Sequence, residues 1–266
     1  MHSTTPGEQV IAPGEVSIAP AWEDWYAEAE SWTMVDDDTA SRAYKLWNFA
    51  ADLNDGSIDD VGRGTVVQKL WNAVDHRIRS LHEIYCLNVV KSLLGLPRTS
   101  ASLDTLHHLG VVRPLILKNL RVVRNRVEHQ DRGAPDANEC SNLVDSVWYF
   151  LRSTDYLVVQ KLNTYTLRSG MAVQGSTEQE EFASISVSAD WGMRMSGWFR
   201  EQDIIANAGD SEFGITMKLD RQPERSGMGD VFLSGSVAPA STGLQRLIRD
   251  YFAVELPSGA RINKKR

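Results

Sequence analysis

Apolar residues recur at helical spacing through a long N-terminal part of the chain, after its first 20 residues. From Ala21 to about Asp155 they fall three or four positions apart, which is the period of a helix with one buried face. The pattern predicts a short helix over residues 21–32, four main helices and a further short helix. The predicted main helices cover residues 36–54, 65–94, 114–130 and 136–155, and the further short helix covers residues 103–109. Together they predict a helical bundle.

After Asp155 the pattern changes to short runs bounded by turn residues, as in β-strands. Asp190-Trp191-Gly192 separates two of these runs and predicts a hairpin, and residues 244–252 predict a closing helix. The predicted strands cover residues 157–159, 185–187, 193–199, 213–219 and 231–237. We therefore expect an α+β fold, in which an N-terminal all-α bundle precedes a smaller β-rich domain with a C-terminal helix.

The expected domain boundaries follow from these two patterns, helical before Asp155 and strand-like after it. Residues 1–20 are rich in Gly, Pro, Ser and Thr and predict a flexible arm. The helical bundle is expected over residues 21–155 and the β-rich domain over residues 156–258. A basic tail is expected over residues 259–266.

One predicted strand carries alternating aromatic and basic residues. Alternation places Met193, Met195 and Phe199 on one face of this strand, and Arg194 and Trp198 on the other. The first interpretation is the core of a small barrel or sandwich. An exposed Trp198 beside Arg194 and Arg200 would instead favour binding of RNA or of a partner protein.

Charge and composition narrow the classes of function. The 266 residues carry a formal net charge of −7, which is untypical of a protein coated in nucleic acid but compatible with a narrow basic cleft. Cys86 and Cys140 lie in apolar helical patterns and predict buried, reduced thiols. Met1–Pro20 has no secretion-signal pattern, and no run of about 18 apolar residues predicts a membrane span. We expect a cytoplasmic protein.

The segment Arg124-Asn125-Arg126-Val127-Glu128-His129 is the clearest pointer to a chemistry. Residues 113–132 contain six basic and two acidic residues, which gives a local charge of +4 in an acidic chain. Asn125 and His129 are four apart and share one helix face with Arg121, whereas Arg124 lies about 140° away from His129 on an ideal helix. An imidazole moves protons near neutral pH, and a guanidinium holds phosphate through two parallel hydrogen bonds.

The segment resembles the HEPN superfamily, the higher eukaryote and prokaryote nucleotide-binding domains. The family hallmark is an Arg, a polar residue directly after it, and a His four to six residues beyond the Arg, toward the end of the third helix of a bundle. Arg124, Asn125 and His129 match each position. The resemblance covers about 120 residues, from Asp36 to Asp155, and does not extend to residues 156–266.

The resemblance implies a homodimeric, metal-independent endoribonuclease without a cofactor, in which two bundles pair and line one cleft. His129 would act as general acid or base at the RNA 2′-OH, Arg124 would hold the scissile phosphate, and Asn125 would orient His129 or bind phosphate. The neighbouring basic residues expected to bind RNA are Lys118, Arg121 and Arg126. By association with the family, the protein would be a toxin or an antiviral effector, with an antitoxin or a regulatory protein as a further partner.

A structural interpretation stands beside this hypothesis. Arg124 and Glu128 are four apart and would form a surface salt bridge on a helix, while His129 would cap the helix end. In that case the bundle is a non-catalytic dimerisation scaffold whose β domain binds a ligand or a partner. The remaining residues that could bind a metal are His76, His82, Glu83, His107 and His108. They predict no metal site, because their spacing does not suit metal coordination and the sequence has no His-Glu-x-x-His or Cys-x-x-Cys motif.

Overall fold

A computed structural model describes most of the chain and divides it into two compact units. The described residues are 14–19, 25–35, 37–56, 58–129, 134–169, 182–205, 214–226 and 229–254. One unit comprises Trp32–Leu162 and is called the helical unit. The other comprises Met1–Ser31 together with Asn163–Arg266 and is called the sheet unit.

The helical unit contains seven helices in its described part. In chain order they are α1 (Asp37–Asn54), α2 (Asp60–Ile84), α3 (Leu87–Leu93), α4 (Ser102–His108), α5 (Pro114–His129), α6 (Ala137–Ser153) and α7 (Asp155–Val159). The long helices α1, α2, α5 and α6 pack together through their apolar stripes. Carboxylates begin two of them: Asp59 accepts from the Gly62 N–H at 2.8 Å and Asp136 from the Glu139 N–H at 2.8 Å.

The predicted single helix over residues 65–94 is wrong, because the chain breaks it into α2 and α3. Tyr85 and Cys86 separate the two helices, and Cys86 has a left-handed backbone with φ of 46°. Cys86 is exposed, so the expectation that both cysteines are buried holds only for Cys140. The apolar period does not reveal this break, because both helices continue to bury residues at helical spacing.

The described residues of the sheet unit form a nine-stranded sheet. Its strands are β1 (Glu15–Ile18), β2 (Trp25–Met34), β3 (Gln160–Ser169), β4 (Phe182–Val187), β5 (Met193–Arg200), β6 (Ile204–Ile205), β7 (Ile215–Leu219), β8 (Glu224–Arg225) and β9 (Asp230–Val237). The strand order is β2-β3-β4-β5-β9-β7-β1-β6, and β8 pairs with β9. All strand pairs with a defined register are antiparallel.

Helix α8 (Leu244–Ala253) packs on one sheet face, where the Tyr165 hydroxyl of β3 donates to the Leu247 carbonyl at 2.8 Å and its ring lies 6.1 Å from that of Tyr251. Met193, Met195 and Phe199 of β5 are buried on this face, as the alternation predicted. The predicted hairpin at residues 190–192 is confirmed, since Val187 and Met193 pair across it. Trp191 at its tip is buried, with its ring 5.0 Å from that of Tyr251 in α8.

The predicted order of an N-terminal all-helical bundle followed by a β domain is wrong. Strands β1 and β2 precede the helices, so the helical unit is inserted between β2 and β3 of one sheet. The predicted arm contributes β1, and the predicted first helix is the strand β2. Residues 157–159, predicted as a strand, belong to α7. The predicted tail over residues 259–266 lies outside the described residues.

The error over residues 25–34 has a physical cause. Trp25 and Trp32 are separated by a distance that fits a helical period, and the flanking aromatics reinforce it. The Ala27-Glu28-Ala29-Glu30 segment alternates with period two, which is a strand signal. Pairing of β2 with β3, a segment about 130 positions later in the chain, decides between the two periods.

Candidate functional site

Helix α5 carries the Arg-Asn-His segment and is fixed by one apolar face. Leu117, Leu120 and Val123 are buried, and the helix packs against α2 and α6. Among the four long helices α5 is the third in chain order, and the segment occupies its last two turns. The packing therefore sets the rotation of α5 and decides which residues face solvent.

The opposite face of α5 presents a row of exposed polar residues. Lys118, Arg121 and Asn125 are all exposed and lie one turn apart. Val122 lies on the same side and is 57% exposed. His129 is the last residue of α5, and an ideal helix places its Cα about 20° from that of Lys118 around the axis. The side chain of His129 lies outside the described part of the chain.

Arg124 lies at the border between the buried and exposed faces of α5. Its guanidinium carbon is 4.6 Å from the centre of the Trp71 ring in α2, a cation–π contact. Its Nη2 donates to the Glu128 carboxylate at 2.8 Å, so the salt bridge expected in the alternative interpretation is present. Its Nε is buried and has no hydrogen-bond partner among the described residues. The side chain is 30% exposed, so it is positioned by two neighbours and is still reachable.

Arg126 is directed to the neighbouring helix instead of the exposed row. Its Nη2 donates to the Glu139 carboxylate at 2.5 Å, and this ion pair links α5 to α6. Glu139 is the third residue of α6, and its own N–H donates to the Asp136 carboxylate at the start of that helix. The structure thus groups Lys118, Arg121 and Asn125 on one face, and turns Arg124 and Arg126 toward α2 and α6.

A buried cluster of charged residues in the helical unit was missed from the sequence. The Arg77 side chain is fully buried and donates to the Leu151 carbonyl at 3.0 Å, the Thr154 hydroxyl at 3.0 Å and the Asp155 carboxylate at 3.2 Å. The Tyr44 hydroxyl donates to the same carboxylate at 2.9 Å. Burial and the Asp155 charge raise the pKa of Tyr44 well above its ordinary value. Arg77 falls in the apolar stripe of α2, which was a signal available in the sequence.

A groove between α1 and α2 is lined by charged side chains of both signs. It has a volume of about 540 Å³, and its lining residues are Asp38, Arg42, Lys45, His76, Arg79, Ser80 and Glu83. Burial and the charges of Arg42, Arg79 and Arg77 lower the pKa of His76. In the described parts of the chain no group of three or more His, Cys, Asp or Glu residues is arranged to hold a metal ion.

The remaining histidines considered for a metal site have other partners. His82 Nδ1 lies 3.0 Å from the Ser102 hydroxyl, and His107 Nδ1 lies 3.1 Å from the Val112 carbonyl oxygen. Both contacts join α4 or its flanks to neighbouring segments of the helical unit. These imidazoles therefore have structural hydrogen bonds within that unit.

Comparison with known proteins gives no relative for this chain. No family model, no curated protein and no solved structure matches it. None of the helices in the described ranges combines the length and the apolar character needed to cross a membrane.

Proposed function

We propose that the protein is a metal-independent endoribonuclease that acts as a homodimer on cytoplasmic RNA. The observation that carries the proposal is the composition of α5: an exposed polar row of Lys118, Arg121 and Asn125 runs toward His129 at the helix end. The location of this segment in the third long helix agrees with the resemblance to the HEPN superfamily. The proposed biological setting, a toxin or an antiviral effector with a regulatory partner, rests on that resemblance alone.

The proposed reaction needs only groups that this segment supplies. The 2′-oxygen of a ribose attacks the adjacent phosphorus and the bond from phosphorus to the 5′-oxygen breaks. One His129 accepts the proton of the 2′-OH, and the His129 of the second copy donates a proton to the leaving 5′-oxygen. The products are a 2′,3′-cyclic phosphate and a 5′-hydroxyl. The Arg124 guanidinium stabilises the charge that develops on the phosphate oxygens.

The neighbours of Arg124 support a phosphate-binding role for its side chain. The Trp71 ring holds the guanidinium in place, which lowers the entropy lost when it binds a phosphate. The Glu128 carboxylate competes for the same donors, and because both side chains are partly exposed their ion pair is worth only about 0–1 kcal/mol. A phosphate can therefore replace Glu128 as the partner of Arg124 at small cost.

The exposed apolar residue on α5 supports pairing of two copies. Val122 lies between Lys118 and Asn125 on the polar face and is 57% exposed. A second α5 packed against Val122 would bury this side chain and bring two copies of Arg124 and His129 toward one cleft. The dimer is therefore part of the catalytic proposal, because one copy supplies a single imidazole from this segment.

A non-catalytic dimerisation scaffold is the second candidate. The salt bridge between Arg124 and Glu128 favours it, since a purely structural Arg124 needs no other partner. The two candidates differ in the effect of Glu128→Gln. This variant frees the guanidinium, so a ribonuclease should retain or increase its cleavage rate. A scaffold should show no cleavage before or after the substitution.

The test is an RNA cleavage assay in EDTA with the full chain and four variants. We expect the wild-type protein to leave 2′,3′-cyclic phosphate ends, and Arg124→Ala and His129→Ala to lower the rate by at least about 100-fold. The matched controls are Arg98→Ala and His108→Ala, which change exposed residues outside α5 and should leave cleavage unchanged.

Sedimentation and the same cleavage assay, applied to the wild type, Glu128→Gln and Val122→Asp, separate the two candidates. Dimers that lack cleavage in the wild type and in Glu128→Gln would support the scaffold. Equal cleavage by the wild type and His129→Ala would reveal a contaminating nuclease and contradict the proposal. Val122→Asp should weaken the dimer and lower cleavage together, because it places a charge in the proposed contact.

A further inference from the structure

The sheet unit presents an aromatic row on the face opposite its core. Phe182 of β4 pairs in register with Trp198 of β5, and Trp198 pairs with Phe232 of β9. The rings of Trp198 and Phe232 are 5.3 Å apart in an edge-to-face arrangement. All three side chains are half-buried, while their neighbours in each strand point into the core against α8. We call Phe182, Trp198 and Phe232 the aromatic row.

Each end of the aromatic row carries an arginine. Arg168 of β3 pairs in register with Phe182, and its Nε donates to the Glu28 carboxylate at 3.1 Å. At the other end, the guanidinium carbon of Arg221 lies 4.7 Å from the centre of the Phe232 ring. Arg221 also donates to the Glu224 carboxylate at 3.0 Å. Glu224 itself pairs in register with Phe232, so each end of the aromatic row carries an arginine together with its carboxylate partner.

The next positions along the same face carry hydroxyl groups. Ser184, Ser196 and Ser234 pair in register across β4, β5 and β9, beside the aromatic row. The following position on β5 is Arg194, which is exposed and forms an ion pair with Asp220. This face thus combines flat rings, small hydrogen-bonding groups and guanidinium groups within a few strands.

We propose that the aromatic row binds unpaired bases of a single-stranded nucleic acid, with Arg168 and Arg221 contacting its phosphates. Neighbouring strands are about 4.8 Å apart, so three aromatic side chains span about 10 Å and provide stacking surface for about two or three bases. Stacking on aromatic side chains does not depend on base identity, because every base has a flat π-face. The inference does not rest on RNA cleavage by the helical unit.

The acidic partners of the arginines do not prevent this binding. Arg168, Arg194 and Arg221 each pair with a carboxylate, and the Glu30 carboxylate accepts from the Ser184 hydroxyl at 3.1 Å. All three ion pairs are at least one-third exposed on both sides, and such pairs contribute little to stability. Phosphate groups can therefore compete for the guanidinium donors. Binding should weaken as the salt concentration rises. The dependence should be shallow, because few phosphate contacts release few counterions.

A single-stranded DNA oligomer tests the proposal without interference from cleavage. DNA has no 2′-OH, so the reaction proposed for the helical unit cannot destroy this probe. We would measure fluorescence anisotropy of labelled oligo-dT and, with His129→Ala protein, of labelled oligo-U. We expect both probes to bind, and Trp198→Leu to weaken binding about 5- to 100-fold. Leucine keeps the apolar volume on the sheet and removes the flat ring.

The control is Tyr149→Leu, which removes an exposed ring from α6 in the helical unit and should leave binding unchanged. Phe232→Leu provides a second variant of the aromatic row, and thermal melting shows whether each variant folds. Equal binding by folded wild type, Trp198→Leu and Phe232→Leu would overturn the proposal. The absence of binding by the wild type would also overturn the proposal. A sugar-binding site would overturn it as well, and would appear as binding of uncharged oligosaccharides that Trp198→Leu and Phe232→Leu abolish.

Discussion

At the scale of single residues, Arg77 shows how one charged side chain organises the helical unit. It lies where an apolar residue would continue the stripe of α2, and its side chain is fully buried. Its hydrogen bonds reach the end of α6 and the start of α7, at Leu151, Thr154 and Asp155. The guanidinium therefore connects α2 to the turn that leads from the last long helix toward β3.

Replacing Arg77 should destabilise the helical unit strongly. Arg77→Met removes the hydrogen bonds and leaves Asp155 with fewer partners, and breaking such a buried pair costs about 3–5 kcal/mol. Urea denaturation, followed by circular dichroism, measures the free energy of unfolding. Arg79→Met is the matched control, because the Arg79–Asp75 pair is exposed and worth about 0–1 kcal/mol. Equal small effects of both variants would show that Arg77 is dispensable.

At the scale of elements, the break between α2 and α3 depends on one backbone conformation. Cys86 adopts φ of 46° and ψ of 50°, a region that residues with a Cβ atom occupy at a cost of about 1–2 kcal/mol. The carbonyl of Cys86 then accepts from the Val89 and Val90 N–H groups, at 2.8 and 3.4 Å, and begins α3. The change of direction thus needs neither a proline nor a glycine.

Glycine and valine at position 86 should shift stability in opposite directions. Cys86→Gly relieves the left-handed strain and should raise the free energy of unfolding by about 0.5–1 kcal/mol, after the entropy cost of glycine. Cys86→Val adds a β-branched side chain to the same conformation and should lower it by about 1–2 kcal/mol. Because Cys86 is exposed, packing changes contribute little. Equal stability of the two variants in urea would rule out backbone strain as the controlling factor.

At the scale of the whole molecule, the sheet unit is assembled from segments that precede and follow the helical unit in the sequence. Strand β1 lies between β7 and β6, so residues near position 16 pair with residues near positions 205 and 217. Strand β2 forms the opposite edge of the sheet. Contacts this distant in sequence close late and slow the folding of the sheet. An insertion between β2 and β3 is compatible with this architecture, because it leaves every other strand pair unchanged.

A substitution near the start of the chain tests this assembly. Ile18 in β1 is fully buried, so Ile18→Ala should lower the free energy of unfolding by about 2–5 kcal/mol. Glu15→Ala in the same strand changes an exposed residue and should alter it by no more than about 0.5 kcal/mol. A flexible arm would tolerate both substitutions equally. Denaturation curves of the two full-length variants distinguish the strand from the arm.

The sequence by itself determined the elements whose signals are local. The helix over residues 114–129, the hairpin at Trp191 and the closing helix α8 follow from apolar period, turn residues and length. The alternation along β5 also gave the two faces of that strand, including Trp198 opposite Met195. The composition of the α5 segment, with its Arg, Asn and His, likewise needs no tertiary information.

Only the tertiary structure decided which segments pair and which side chains meet. Strands β1 and β2 exist because distant strands offer them hydrogen-bond partners, and local periodicity cannot report a partner about 130 or 200 residues away. The same holds for Arg124, whose contact with Trp71 depends on the packing of α5 against α2. The aromatic row also required the registers of β4, β5 and β9, since its residues are isolated from one another along the chain.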